Sequence, residues 1–153
     1  MKLIDEKSIG KIGQLISLAI KSEERIIVLA GNEEFNRQVL EKKGVDVLLF
    51  SNLYGKDKLK QRDSGLNHVL CKLAKKNGVI IGIDLKQLGS GSDFDKSFYL
   101  ARLIQNIRLC KKFNVKMIII NVKENNKKDL NSFLLTLGMD TWMAKFAVEN
   151  SFS

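Results

Sequence analysis

The sequence predicts an α/β protein built on a parallel sheet, and three observations carry that expectation. Short, β-branched apolar runs recur along the chain at Arg25 to Leu29 (RIIVL), Asp46 to Phe50 (DVLLF), Val79 to Ile83 (VIIGI) and Lys116 to Ile120 (KMIII). Each is nearly continuous in apolar character, as strands covered on both faces of a parallel sheet require. Segments of helical period lie between them, and strands alternating with helices define βα units.

Taking the elements in order, a weaker strand is expected at Lys2 to Ile4. Ser8 is placed to cap a helix with Ile9, Ile12, Ile16 and Ala19 inward. Asn32 is placed to cap the next, with Phe35, Val39 and Leu40 inward and Gly44 as its stop. From Ser64 to Asn77, Leu66, Val69, Leu70, Leu73 and Ala74 fall on one stripe, and Asn77-Gly78 ends it. Lys72, Lys75 and Lys76 fall outside the stripe. The helix from Asp95 to Phe113 is expected to bury Leu100, Leu103, Ile104, Ile107 and Cys110. Its polar side then carries Arg102, Gln105, Arg108 and Lys112. Gly89-Ser90-Gly91-Ser92, ahead of it, reads as a flexible connection. Further helices are expected at Lys127 to Leu137 and Thr141 to Asn150, broken at Gly138. No linker or low-complexity stretch divides the chain, so residues 1–153 read as one domain.

The balance of charge bears on function. Net charge is +9 and the pI is near 9.6, which suits a phosphate-rich partner. Lysine supplies 21 of the 26 basic residues, so biased composition is a competing explanation. Distribution separates the two: Lys56 to Lys112 holds 13 basic and five acidic residues, nearly the whole excess. That concentration favours a binding face. No apolar run reaches the roughly 18 residues of a membrane span. Met1 to Ile20 has no signal-peptide pattern. Two cysteines, Cys71 and Cys110, give no disulfide framework and no zinc spacing, so they read as reduced core thiols in a cytoplasmic protein.

One histidine, His68, rules out a histidine-rich metal cluster, and neither a dinucleotide fingerprint nor a phosphate loop is present. Asp84 and Glu124 fall at or just past strand ends, where active-site carboxylates occur. Nothing in the sequence pairs them, and capping or solvated acids remain the simpler reading. The informative segment is Tyr54 to His68, YGKDKLKQRDSGLNH. Lys56, Lys58, Lys60 and Arg62 supply charge. Asp63 or Ser64 is placed to cap the following helix, and Gly65 permits close backbone approach. The helix N-terminus offers N–H groups to a phosphate. Asn67 and His68 stand in its first turn, where His68 either donates to phosphate or ribose or fills a polar core position. Tyr54 could stack on a base.

The block R-D-S-G-L-N-H-V-L-C-K-L-A-K-K-N (Arg62 to Asn77) is flanked by G-V-D-V-L-L-F (Gly44 to Phe50) and V-I-I-G-I-D-L (Val79 to Leu85). With N-I-R-L-C-K-K-F-N-V (Asn106 to Val115), these stretches resemble archaeal and eukaryotic ribonuclease P protein component 3. The resemblance runs from about Arg25 to Leu137. It implies a (β/α) barrel-like fold of TIM/PHP-like type, related to metal-dependent phosphoesterases but without their metal cluster. It also implies a non-catalytic protein subunit that binds and stabilises the ribonuclease P RNA. That RNA uses Mg2+ to cut the 5′ leader from precursor tRNA, beside another small protein subunit. Arg62, Asp63, Ser64, Gly65, Leu66, Asn67 and His68 map onto the family block. The RNA-binding set expected from charge and resemblance is Lys56, Lys58, Lys60, Arg62, Asn67, His68, Lys72, Arg102 and Arg108. No cofactor or metal is expected on the chain itself.

An eight-stranded barrel needs about 200 residues or more. The resemblance therefore implies an N-terminally shortened, incomplete barrel of about five strands. Its open edge calls for a partner subunit or self-association. The competing reading is a diverged PHP-like phosphoesterase or small-ligand-binding protein using Asp84, Glu124 and His68.

Overall fold

The computed structural model describes residues 1–152 except 22, 52, 54–56, 60, 61, 90 and 123–125, and the side chain of residue 87. Five parallel strands form one sheet in the order β1-β2-β3-β4-β5: Lys2–Ile4, Ile26–Leu29, Val47–Phe50, Ile80–Asp84 and Met117–Ile120. Between them run α1 (Ile9–Ile20), α2 (Glu33–Glu41), α3 (His68–Asn77) and α4 (Asp93–Phe113). α5 (Lys127–Thr136) and α6 (Thr141–Glu149) follow β5. Beyond them Phe152 makes one parallel bridge to Ile120.

The continuous apolar strands make sense once both faces are followed. Ile26, Val28, Leu48, Phe50, Ile81, Ile83, Met117 and Ile119 point to one side, where the buried residues of all six helices join them in the main core. Their neighbours Ile27, Val47, Leu49, Ile118 and Ile120 point to the other side, where Phe146 and Phe152 pack. A strand buried on both faces has no position left for a polar residue. This second face is less covered toward β1, where Leu3, opposite Ile27, remains 54% exposed.

Gly82 lies on that second face. A Cβ there would stand 2.9 Å from Val47 Cγ1 and 3.1 Å from Leu49 Cδ1, so β3 packs against β4 through the space a side chain would take.

Helix ends follow local chemistry, with some departures from the sequence expectation. Asn32 caps α2 by accepting from the Phe35 amide, whereas Ser8 occupies the cap of α1 without a side-chain cap bond. α3 begins at His68 and not at Ser64, because Asn67, rather than Asp63 or Ser64, is its cap, accepting from Leu70 N. Its buried stripe is Leu70, Cys71 and Ala74, and Val69 faces solvent. A short 3-10 turn, Leu85–Gly89, leads into the Gly89–Ser92 segment read as a flexible connection, whose last residue, Ser92, forms a reciprocal capping box with Asp95. The Ser92 hydroxyl and amide together hold the Asp95 carboxyl below its ordinary value.

The long helix α4 is turned from its expected face. It buries Tyr99, Arg102, Leu103, Asn106, Ile107 and Cys110, so Arg102 and Asn106 point inward while Leu100 and Ile104 are only half-buried. Cys71 and Cys110 are both free and buried; burial, and then the adjacent Cys71, push the Cys110 thiol up.

Candidate nucleic-acid interface

The segment between β3 and α3 is held by one buried cation. The Arg102 guanidinium, 2% exposed, donates to the Leu53 carbonyl at 2.6 Å and to Asp57 Oδ1 at 2.7 Å. It lies 4.4 Å above the Phe98 ring. Asp57 Oδ1 also accepts from the Asp63 amide at 2.9 Å, so one carboxylate joins both ends of the loop to α4. The Asp63 amide, and then Arg102, hold the Asp57 carboxyl below its ordinary value. Gln105 Nε2 donates to the Arg62 carbonyl, and Asp63 Oδ1 accepts from the Gly65 amide. Gly65 has φ +80°, and a Cβ there would lie 3.1 Å from the Phe50 ring, so glycine is required at this turn.

Leu53, Lys58 and Arg62 to Gly65 of this segment line a cleft of about 660 Å³ at the carboxyl ends of β2 and β3, where open parallel sheets place their ligands. Lys58, Arg62, Arg102 and Lys112 line it against Glu33 and Asp63, with His68, Asn67 and Asn32 at its helix ends. A second groove of about 470 Å³ shares Arg62, Gln105, Leu109 and Lys112 with the cleft and adds Arg108. Arg62 and Arg108 come from different elements and meet only through the fold.

Arg62 and His68 are exposed and line the cleft, with His68 at the first residue of α3. Asn67 is half-buried; besides its cap bond, its Nδ2 donates to Glu33 Oε1 at 2.6 Å. Lys58 is exposed but sits 3.7 Å from both Glu33 and Asp63, which offset its charge locally. Lys72 is exposed on α3 outside the cleft lining. Arg108 is exposed in the second groove.

Arg102 is a correction. It was expected on the polar side of α4 as an RNA contact, and instead its charge is spent inside the protein on Leu53, Asp57 and Phe98. Lys56, Lys60, Tyr54 and Glu124 lie outside the described residues. Sequence reasoning did not anticipate that Asn32, Glu33 and Gly31 would border the cleft. The one available signal was their position directly after a parallel strand.

Asp84 does not line the cleft that holds His68. Its Oδ1 accepts from Asn121 Nδ2 and the Lys86 amide, and its backbone carbonyl accepts from the Tyr99 hydroxyl. Among the described residues, no group of three or more His, Cys, Asp or Glu could hold a metal ion. Among the same residues, no helix is long and apolar enough to cross a membrane.

Fold and site thus define an open parallel (β/α) protein of TIM-like plan, with a predominantly cationic cleft at the carboxyl edge of its sheet. More particularly, the chain is similar to proteins named ribonuclease P protein component 3. It is 31% identical to the Methanocaldococcus jannaschii protein of that name over 132 residues, 83% of this chain and 54% of that one. Identity to the Methanosarcina acetivorans protein is 34% over 119 residues, 78% of this chain and 46% of that one. For the Methanococcus vannielii protein it is 30% over 147 residues, 93% and 61% of the two chains. A chain in the cryo-EM structure of archaeal ribonuclease P with mature tRNA superposes with a TM-score of 0.77 at 28% identity. That match covers 96% of this chain and 63% of that one. The chain spans about half the length of the curated relatives it matches. No protein-family model matches it.

Proposed function

We propose that this chain is an RNA-binding subunit of ribonuclease P, stabilising the catalytic RNA that removes the 5′ leader from precursor tRNA. In this reading the protein carries no catalytic group, the RNA uses Mg2+, and the complex works in the cytoplasm. The observation that carries the proposal is the meeting of Arg62 and Arg108 in one groove beside Lys112. Guanidinium groups match phosphate geometry and keep their charge at every physiological pH. A cationic groove continuous with a cleft suits a polyanion longer than one nucleotide.

The partners in this reading are the ribonuclease P RNA and another small protein subunit. Among the described residues β1 is a short edge strand with β2 as its one neighbour, and Met1, Leu3, Leu18 and Ile20 expose apolar surface near it or on α1. A second copy or a protein subunit would cover that edge.

Filter binding across a salt series tests the RNA reading. Each phosphate contact contributes a slope of roughly −0.7 to −0.9 in log affinity against log salt. R62A and R108A are each expected to flatten the slope by about that amount. Binding indifferent to salt, or unchanged in both variants, would refute it.

A further inference from the structure

The Arg62 backbone is fastened to α4 by a bond that adds little to stability. Gln105 Nε2 donates to the Arg62 carbonyl at 3.0 Å. Its Oε1 is buried, and among the described residues no donor reaches it. Turning the amide over gives no relief, because Oε1 would then face the Arg62 carbonyl, acceptor against acceptor. A neutral hydrogen bond returns little net stability, while a buried acceptor left bare costs as much or more. An apolar side chain of the same length would hold the fold as well. What the amide does contribute is a fixed place for Arg62.

That place is beside Arg108. Gln105 and Arg108 are three residues apart on α4 and so share a face. Gln105, Leu109 and Lys112 line both the cleft and the groove that holds Arg62 and Arg108. Arg102 and Asp57 fasten the neighbouring loop positions, Leu53 and Asp63, whereas Gln105 holds residue 62 itself. Arg62 and Arg108 are both exposed and carry like charge. Setting one beside the other in a single groove is unfavourable by itself and becomes favourable once an anion lies between them.

We propose that Gln105 is a positioning residue: it fixes the Arg62 backbone over α4 so that the Arg62 and Arg108 guanidinium groups together engage phosphates of one RNA strand. This rests on the RNA-binding reading and names the device that readies that site. Gln105 itself does not touch the RNA. Its effect runs through Arg62, because an arginine already in place loses less freedom on binding.

Q105M removes both amide atoms and keeps the length and helix preference of the side chain. Its urea midpoint is expected to equal or exceed the parent's. Filter binding of the intact chain to an archaeal ribonuclease P RNA transcript is expected to weaken by about two- to tenfold, the range for one side chain left to be ordered on binding. In an R62A background the same change is expected to add nothing, since its effect runs through Arg62. Unchanged binding by Q105M beside weakened binding by R62A would overturn the positioning role and leave the RNA-binding reading standing. An equal loss from Q105M with and without Arg62, or a urea midpoint well below the parent's, would assign Gln105 another role and overturn the proposal too. Parent-like binding by R62A would do the same. Salt-indifferent binding, or none, would overturn both readings.

Discussion

Replacing Arg102 with methionine separates a residue that holds the loop from one that touches RNA. Methionine nearly fills the volume, so the change removes charge and hydrogen bonds without opening a large cavity. The Leu53 carbonyl, left buried without its donor, costs about 1–3 kcal/mol. Losing the guanidinium above Phe98, 4.4 Å from its centroid, adds about 1 kcal/mol. Asp57 is partly exposed and regains water, so it adds little. R102M is therefore expected to lose about 2–4 kcal/mol in urea unfolding, with an unchanged dependence on denaturant. Protease cleavage should shift to the 53–63 segment. Its salt slope for RNA should stay within about 0.3 of the parent, since no phosphate contact is removed. A loss below about 0.5 kcal/mol, or a slope flattened as in R62A, would refute the assignment of Arg102 to the interior.

Acid provides a second probe. The Asp57 and Asp95 carboxyls are both held below their ordinary value of 3.8, so their stabilisation is present above that value and disappears as pH falls through the lower folded-state values. Urea midpoints measured from pH 5 down to pH 2 should fall less steeply in D57N than in the parent. G82A should destabilise by about 1–3 kcal/mol, because its methyl would meet Val47 and Leu49 between two central strands; an unchanged thermal midpoint would contradict that packing. Light scattering is expected to show self-association of the isolated chain that L3E reduces, and a stable monomer with little hydrophobic-dye response would count against a covered β1 edge.

The sheet was legible because its strands are apolar on both faces, which leaves few other readings. Helix boundaries were legible where a cap stands alone, as at Asn32, and less so in the Asp63 to Asn67 stretch, which offers three capping side chains. The Gly65 turn consumes Asp63, and Asn67 takes the cap. The turned face of α4 was hidden for a different reason. Hydrophobic periodicity cannot place Arg102 inward, because its burial depends on a partner, the Leu53 carbonyl, 49 residues away. The proximity of Arg62 and Arg108 is likewise a product of the crossover through α3 and β4, and no spacing rule encodes it. Charge counting singled out the third of the chain that supplies most of the basic residues lining the cleft and groove, but could not tell Lys58, already beside two carboxylates, from Arg108.

The sheet's sequential order also bears on how the molecule is made. Every strand pairs with the one before it, and the widest step in register, Ile81 to Met117, spans 36 residues. No strand waits for a distant segment, so each βα unit can dock on the last as it leaves the ribosome. Until β5 and the Phe152 tail arrive, however, Val47, Leu49 and Ile80 lack their cover, and a stalled or truncated product should be the form most exposed to aggregation and degradation.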